Sequence, residues 1–511
     1  MAAGLYLRSF MEPTTAWHYK RLPRAVSSKV RKPPFEQLAR IAADTGHEIY
    51  VVGGYVRDLF MGRPSGDIDI LVIGSGVGFA REVARRVPEV RDPAYFKNFG
   101  TAQLRWHRFE IEFVGARRES YQRHSRKPVV EEGSLEDDLW RRDFTINTLA
   151  VWLGPAQQFR LVDPFLGLEH LRAGLIETPQ EPKTTFSDDP LRMMRAIRFA
   201  TQLGFRLSER VYDAILAQAS RLDIISMERV ADELNKIMLS PRPSVGFKLL
   251  DELELLPKIM PELCKMKGVE TIDDQSHKDN FYHTLQVLDN VAEETDKLWL
   301  RWAALLHDIG KPRTKRFDPE QGWTFHGHEI VGQRIVPELF KRLKLPLNDK
   351  MRYVRKMVGL HHRPIALTHQ VSDSAIRRLL VDAGDELEDL FILCRADITS
   401  KNPKRKERYL HNFDQVMAKI EAVEARDRLR NWKPPVDGEQ IMQLFNLKPS
   451  REVGTIKNAM REAILNGDIP NEPEAALHYV RHKGEEEGLK VDEPTWQTLQ
   501  SKLPLNPKTT S

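Results

Sequence analysis

Cysteine is nearly absent from the chain. Cys264 and Cys394 are the two in 511 residues, far apart and outside any Cys-x-x-Cys spacing, which argues against a disulfide framework and against a cysteine-based zinc site. That scarcity suits a reducing compartment, and a cytoplasmic location is expected. Long apolar runs are missing too: none approaches the roughly 20 residues that cross a bilayer, so no membrane partner is expected. Nor does one sign of charge dominate. Lys and Arg number 78 against 73 Asp and Glu, a net charge of +5, which permits nucleic-acid binding without requiring it. The first eleven residues, Met1 to Met11, contain no acid, yet they have neither the apolar centre of a secretory signal nor an arginine-rich pattern. They read as an untargeted extension, with Met11 as an alternative start.

What is present is ordinary globular composition, 41% hydrophobic and 30% charged, in a chain long enough for roughly three or four domains. From Phe35 to Asp163 the pattern mixes helix and strand. Phe35–Gly46, Tyr55–Met61 and Phe79–Val87 have helical spacing, and His47–Val52, Ile68–Ile73, Thr101–Trp106 and Phe109–Val114 read as strands, the last two as a hairpin. After Val162-Asp163-Pro164-Phe165 strand signals nearly vanish and helices follow one another. The expected divisions are 1–34 an extension, 35–163 an α/β head, 164–270 a helical neck, 271–400 a histidine-rich helical domain, and 401–511 a helical tail.

The first chemical constellation is Tyr50-Val51-Val52-Gly53-Gly54-Tyr55-Val56-Arg57-Asp58, answered by Asp67-Ile68-Asp69. An apolar strand that breaks at two glycines and restarts as a helix leaves backbone N–H groups facing outward, a cradle for phosphate. Side chains alternate along a strand, so Asp67 and Asp69 share a face and can share a divalent cation. Arg57 or Arg63 would reach a triphosphate. Where two metals are held a third carboxylate is usual, and Glu110 and Glu112 alternate onto one face of Phe109–Val114; Glu112 is the choice, Glu110 a solvated position.

Together with Arg141-Arg142-Asp143-Phe144-Thr145-Ile146-Asn147, these residues resemble the class II tRNA nucleotidyltransferase and bacterial poly(A) polymerase family. The resemblance implies a polymerase-beta-like nucleotidyltransferase head followed by an all-α neck, with Mg²⁺ on Asp67 and Asp69. It further implies that Arg141, Arg142, Asp143 and Asn147 hold the sugar and triphosphate of the incoming nucleotide.

Downstream lies Ser187-Asp188-Asp189-Pro190-Leu191-Arg192-Met193-Met194-Arg195. Pro190 suits a first helical turn and the acids before it suit a helix N-terminus. Asp189 and Arg192, three apart, would be neighbours on one helix face, offering an acceptor and donors to the edge of a base. In the family a Glu-Asp-x-x-Arg motif selects CTP and ATP in this way; here Asp188 stands in place of the Glu. Arg195, one turn on, is a further nucleotide contact. Ser226–Leu234 and Asp163–Glu169 also resemble family segments and are expected to brace the neck.

The second constellation gathers His283, His307-Asp308, His326, His328, His361-His362 and Asp397. Imidazole and carboxylate from several helices suit a divalent transition metal. The order resembles the HD metal-dependent phosphohydrolase superfamily. That implies His283, His307, Asp308 and Asp397 as core ligands and His328, His361 and His362 as ligands of a second metal, with either member of the adjacent pair pointing inward. Lys311 is a candidate for phosphate charge or a solvated helix-end lysine. In the tail, Lys401–Arg408 with Arg426, Arg428 and Arg430 would contact phosphates without reading sequence. The family resemblance thus implies addition of CCA to tRNA from CTP and ATP. A poly(A) polymerase or A-adding enzyme is the alternative within the class, and a phosphatase or phosphodiesterase acting on RNA ends or nucleotides the alternative outside it.

Overall fold

Aliphatic and aromatic side chains fill Ile49-Tyr-Val-Val52 without a polar break, and all four are buried, so this segment is an interior strand covered on both faces. It lies near the middle of the one large sheet in a computed structural model. The structure describes residues 20–503 except 64–65, 91–93, 97–99, 121–128, 156–157, 273–274, 367–371, 400–402 and 428–431. Most of the expected extension, the start of the basic segment at Lys401, and Arg428 and Arg430 lie outside the described residues.

The strands are β1 (Lys20–Arg21), β2 (Ile49–Val52), β3 (Asp67–Val72), β4 (Ala94–Phe96), β5 (Thr101–Trp106) and β6 (Phe109–Gly115). They are followed by a separate hairpin, β7 (Arg117–Ser120) with β8 (Val129–Glu132), and then by β9 (Ala150–Leu153) and β10 (Phe159–Val162). The order in the sheet is β1-β10-β9-β2-β3-β6-β5-β4. Among these described pairs only β3 and β6 run parallel. Their register sets Asp67 beside Glu110 and Asp69 beside Glu112, while Val52 of β2 lies opposite Asp69.

The two faces of the sheet are occupied differently. Tyr50, Val52, Leu71, Ala150 and Val162 pack with Leu139 of the helix Leu135–Trp140, which places the odd-numbered β3 residues, Asp67 and Asp69 included, on that helix's side. On the other side the helix Gly76–Arg86 inserts Phe79 against Phe113 of β6, ring centres 5.7 Å apart.

Beyond β10 the described residues are mainly helical, with short two-stranded pieces at 175–176 with 206–207, at 271–272 with 275–276, and at 316–318 with 322–324. The chain divides into two compact units, one running to Cys264 and including Arg342–Leu345, the other Lys265–Lys341 with Pro346 onward. No helix is long and apolar enough to cross a membrane among the described residues, and the two cysteines are not joined by a disulfide. In the second unit Asn280–Glu294, Leu298–Leu306, His328–Arg342, Asp349–Leu360 and Leu387–Asp397 surround the histidine cluster. The tail builds a separate core from Ile441, Leu444, Ile456, Met460, Leu477, Val480 and Trp496.

Candidate functional site

In the head the turn after β2 is made by Gly53, at φ +75°. That backbone region disfavours side chains, and space forbids one as well: a Cβ here would lie 3.1 Å from both Arg142 Nη1 and Asp69 Oδ2. The bare glycine therefore sits between the carboxylate of β3 and a guanidinium of the Arg-Arg-Asp motif. Asp67 is exposed and Asp69 and Glu112 are half-buried. Burial raises the Asp69 pKa; Arg142 opposes the rise, and Glu112, Asp67 and Asp138 add to it. Crowded carboxylates with one shared side are the donor set that fits a hard divalent cation. Asp67 and Asp69 would hold it, with Glu112 in register beside Asp69.

The arginines are fixed by a residue that sequence reasoning passed over. Asp138, fully buried, accepts from Arg141 Nε at 3.0 Å through Oδ1 and from Arg142 Nη2 at 2.9 Å through Oδ2. Burial would raise its pKa, but Arg142 and Arg141 outweigh that and hold the carboxyl below its ordinary value. The signal was present: Asp138 stands three and four residues before the arginines, the spacing of ion pairs on a helical turn.

Asp143 organises the other half. Its Oδ1 accepts from the Asn147 side chain at 3.0 Å and its Oδ2 from Arg195 Nε at 2.8 Å. Asn147 in turn accepts from Arg57 Nη1 at 2.9 Å. Burial alone would lift Asp143, yet Arg195, the Asn147 amide and Arg192 hold it at about 2. Arg57 and Arg195 thus serve first to shape the pocket, and both, with Arg198, lie 4.1–5.5 Å from the Phe199 ring centre. For Arg63 no ion pair or hydrogen-bonded partner ties its side chain to this network among the described residues.

The structure alters the geometry expected at Asp189. A short helix, Pro182–Asp188, ends immediately before it, and Pro190 precedes the next helix, Leu191–Leu203. Asp189 has extended backbone between the two and is not on a common helix face with Arg192. Its Oδ1 accepts from the Leu191 N–H at 3.1 Å and its Oδ2 from Arg229 at 2.8 Å. Arg192 is buried, donating to the Arg141 carbonyl at 2.7 Å. The two are linked through the backbone, the Arg192 N–H donating to the Asp189 carbonyl at 3.0 Å.

The histidine cluster follows a different rule, because each ligand sits at or near a helix end. His307 and His361 close their helices, His328 opens one, His283 lies in a first turn and Asp397 in a last turn. The Nδ1 atoms of His307, His328 and His361 lie 2.7, 2.9 and 2.7 Å from the carbonyls of Ala304, Phe325 and Val358, each three residues back. A carbonyl only accepts, so Nδ1 carries the proton and each Nε2 lone pair faces inward, the tautomer of a metal ligand. His283 Nδ1 is tied to Thr399 Oγ1 at 2.9 Å.

The inward atoms form two groups, His283, His307 and Asp397, and Asp308, His328 and His361. Asp308 faces both: Oδ2 is 3.2 Å from His307 Nε2, and Oδ1 is 3.4 Å from His328 Nε2. His307 Nε2 is buried without a hydrogen-bond partner, an orphan lone pair that a cation would satisfy. The residues fit a divalent metal. Of the adjacent pair His361 points in, whereas His362 is exposed and belongs to neither group, as does His326. Lys311 is not a solvated lysine: its Nζ lies 2.6 Å from Asp308 Oδ2. A second overlooked residue is Gly310, where a Cβ would strike the His328 carbonyl at 2.1 Å; only glycine lets the His-Asp turn approach the helix that carries His328. In the tail, Arg426 is paired with Asp373 and Asp427.

Comparison with known proteins gives family matches over these segments. Residues 49–177 match the Poly A polymerase head domain, 204–267 the probable RNA and SrmB-binding site of polymerase A, and 280–402 the HD domain. The chain is 34% identical over 363 residues to an A-adding tRNA nucleotidyltransferase of Deinococcus radiodurans, covering 69% of this chain and 80% of that one. It is 32% identical over 455 residues to a CC-adding tRNA nucleotidyltransferase of Thermus thermophilus, covering 86% and 95%. Solved structures share the fold: a CCA-adding enzyme with ATP (TM-score 0.59, 22% identity, 91% of this chain and 99% of that one) and the Thermotoga maritima CCA-adding enzyme with tRNA (0.55, 21%, 89% and 97%). With the glycine turn, the carboxylate strand, the Arg-Arg-Asp network and the histidine cluster in place, the chain belongs to the tRNA nucleotidyltransferase and poly(A) polymerase family and carries an HD domain behind its nucleotidyltransferase head.

Proposed function

We propose that this nucleotidyltransferase completes the 3′ end of tRNA by adding CMP, CMP and AMP from CTP and ATP without a nucleic-acid template. The observation that carries the reading is the 2.7 Å hydrogen bond from Arg192 to the Arg141 carbonyl, which joins the base-selecting residues to the motif assigned to the triphosphate. Gly53 and Gly54 offer N–H groups to phosphate oxygens. Arg141 and Arg142, oriented by Asp138, would meet the triphosphate, and Asp189 and Arg192 present the edge that chooses the base. Asp67 and Asp69, with Glu112 adjacent, would hold Mg²⁺, which when bound would neutralise charge on the reacting oxygens. The tRNA 3′-hydroxyl attacks the α-phosphate and pyrophosphate leaves. The Deinococcus and Thermus relatives divide between A-adding and CC-adding names, so the decisive experiment supplies one nucleotide at a time. With tRNA lacking its last three nucleotides, CTP alone is expected to be incorporated. Failure to use CTP, with ATP added to tRNA already ending in CC, would establish an A-adding enzyme; untemplated runs of A would establish a poly(A) polymerase.

A second activity is supported by the four inward Nε2 atoms and the orphaned lone pair on His307. We infer that the HD site binds divalent transition metal and hydrolyses phosphate esters on RNA ends or nucleotides. Metal-dependent phosphate release that survives Asp67→Ala and disappears in Asp308→Ala is the expected result. Release lost in both variants would assign it to the head.

A further inference from the structure

Between the His307-Asp308 turn and His328 the chain reads Lys311-Pro-Arg-Thr-Lys-Arg316, four cations in six residues, and then supplies Phe317, Trp323 and Phe325. The aromatics lie on or just after a hairpin in which Arg316–Asp318 pairs antiparallel with Gly322–Thr324. A hairpin this small needs outside support. Phe317 packs 5.4 Å from Trp323, and the His277 ring stands edge-on to Trp323 at 5.1 Å and to Phe325 at 5.9 Å. Lys315 Nζ lies 4.9 Å from the Trp323 ring centre, held there by His277 and Glu270.

The cluster is joined to the histidine site through two residues. The Phe325 carbonyl accepts the His328 Nδ1 proton, and its ring lies 5.5 Å from Lys311 Nζ, the same ammonium that touches Asp308. The patch therefore begins one side chain from the ligand set. Its aromatic rings are half-buried, and Arg313 and Arg316 are exposed. Water and phosphate need none of these rings. Bases do, because stacking on aromatic side chains beside cations is how proteins hold unpaired nucleotides.

We propose that this hairpin and the basic segment before it form a nucleotide-docking lip of the HD site. Its ligand is a nucleoside phosphate, either free or as the 3′-terminal residue of an RNA. The base stacks on Trp323 and Phe325, flanking phosphates meet Arg313 and Arg316, and the phosphate to be cleaved lies by Lys311. The proposal rests on reading the HD site as a phosphohydrolase. In the reaction water adds to phosphorus, the P–O ester bond breaks, and the ribose hydroxyl leaves with a proton from water, so no redox partner is required.

The test uses the full chain loaded with Mn²⁺ and counts only phosphate release absent from Asp308→Ala. Substrates are adenosine 3′-monophosphate, a short RNA bearing a 3′-phosphate, and glycerol 2-phosphate, which has no ring to stack. Trp323→Leu keeps apolar bulk and removes the π face; Arg316→Gln changes one exposed cation. Trp323→Leu is expected to raise KM about tenfold for both nucleotide substrates and to leave glycerol 2-phosphate unchanged. A rise with Arg316→Gln confined to the RNA assigns the lip to RNA ends, and an equal rise on both assigns it to free nucleotides. An unchanged nucleotide KM in Trp323→Leu, or an equal loss on all three substrates, overturns the lip. If no substrate shows Asp308-dependent release, the hydrolase reading fails, and crosslinking of 8-azidoadenosine 3′-monophosphate decides the lip alone. An adduct within residues 316–326 that Trp323→Leu removes supports it, and adducts confined to residues 49–199 overturn it.

Discussion

The head and the HD cluster both concentrate charge, but they restrain it by opposite means. In the head, Asp138 is held by arginines of its own turn, but two further acids are held by arginines from elsewhere in the chain: Arg195 reaches Asp143 across 52 residues and Arg229 reaches Asp189 across 40. In the HD cluster three of the four inward imidazoles are fixed by a carbonyl three residues back, so each ligand is oriented by its own helix end. The first arrangement couples distant motifs and transmits the loss of any one of them. The second leaves ligands individually oriented, with His307 Nε2 unsatisfied and Asp308 between two groups. On the proposed reading, a site that chooses among bases would benefit from coupling, and one that captures a cation would benefit from ligands already aimed.

The sharpest separation of the two regions is chemical. Asp69→Ala is expected to lower nucleotide incorporation by roughly three orders of magnitude, since the metal contribution is worth several kcal/mol, while His307→Ala is expected to leave incorporation within about twofold because its described partners belong to the histidine cluster and its own helix. Single-turnover incorporation on tRNA lacking its CCA end measures both. Next in size is the coupling itself. Asp138→Ala leaves two partly buried guanidiniums without their carboxylate (Arg141 and Arg142 are 24% and 19% exposed, Asp138 0%) and is expected to cost roughly 3 kcal/mol in urea unfolding of the first unit. Equal stability of variant and wild type would remove the claim that the head is cross-braced.

Metal addition probes the other side of the comparison. Mn²⁺ at about 100 times its dissociation constant is expected to stabilise the second unit by roughly 2.7 kcal/mol, an increment that persists in Asp69→Ala and vanishes in His307→Ala. The smallest effect is one of pH. Asp143 has a folded-state pKa of about 2, below its ordinary 3.8, so its contribution is complete above about pH 4 and is lost as pH falls through 2. The difference corresponds to roughly 2 kcal/mol. Comparing urea midpoints at pH 7 and pH 3, the wild type should lose stability that Asp143→Asn does not.

How much of this was legible depended on whether the signal was local. Gly53, Asp67 and Asp69 stood out because a strand, a turn and a second strand impose alternation and punctuation on adjacent residues. The helix over Phe35–Thr45 was equally plain from its apolar spacing. Asp189 was misplaced because the helix before it, Pro-Lys-Thr-Thr-Phe-Ser-Asp, has too few apolar residues to declare itself, so the break between two helices could not be seen. Asp138 was hidden in a run of acids, Glu136-Asp137-Asp138, where burial alone distinguishes the third. The choice of His361 over His362 turned on rotation at a helix end, and the need for Gly310 arose from the approach of a helix eighteen residues later. Both are tertiary facts that one strand of letters does not carry.

The ion pair between Asp189 and Arg229 also has a meaning in time. A ribosome delivers the chain from its N-terminus, so Asp67, Asp69 and the Arg-Arg-Asp motif emerge long before Arg229 does. Until that arginine has left the exit tunnel and the helix Met227–Met238 has docked, Asp189 lacks the brace on Oδ2. A nascent head would hold its carboxylates and glycines before Asp189 is braced. On the proposed reading, in which Asp189 helps choose the base, capacity for transfer would precede fidelity during synthesis, and discrimination between nucleotides would await completion of the first unit.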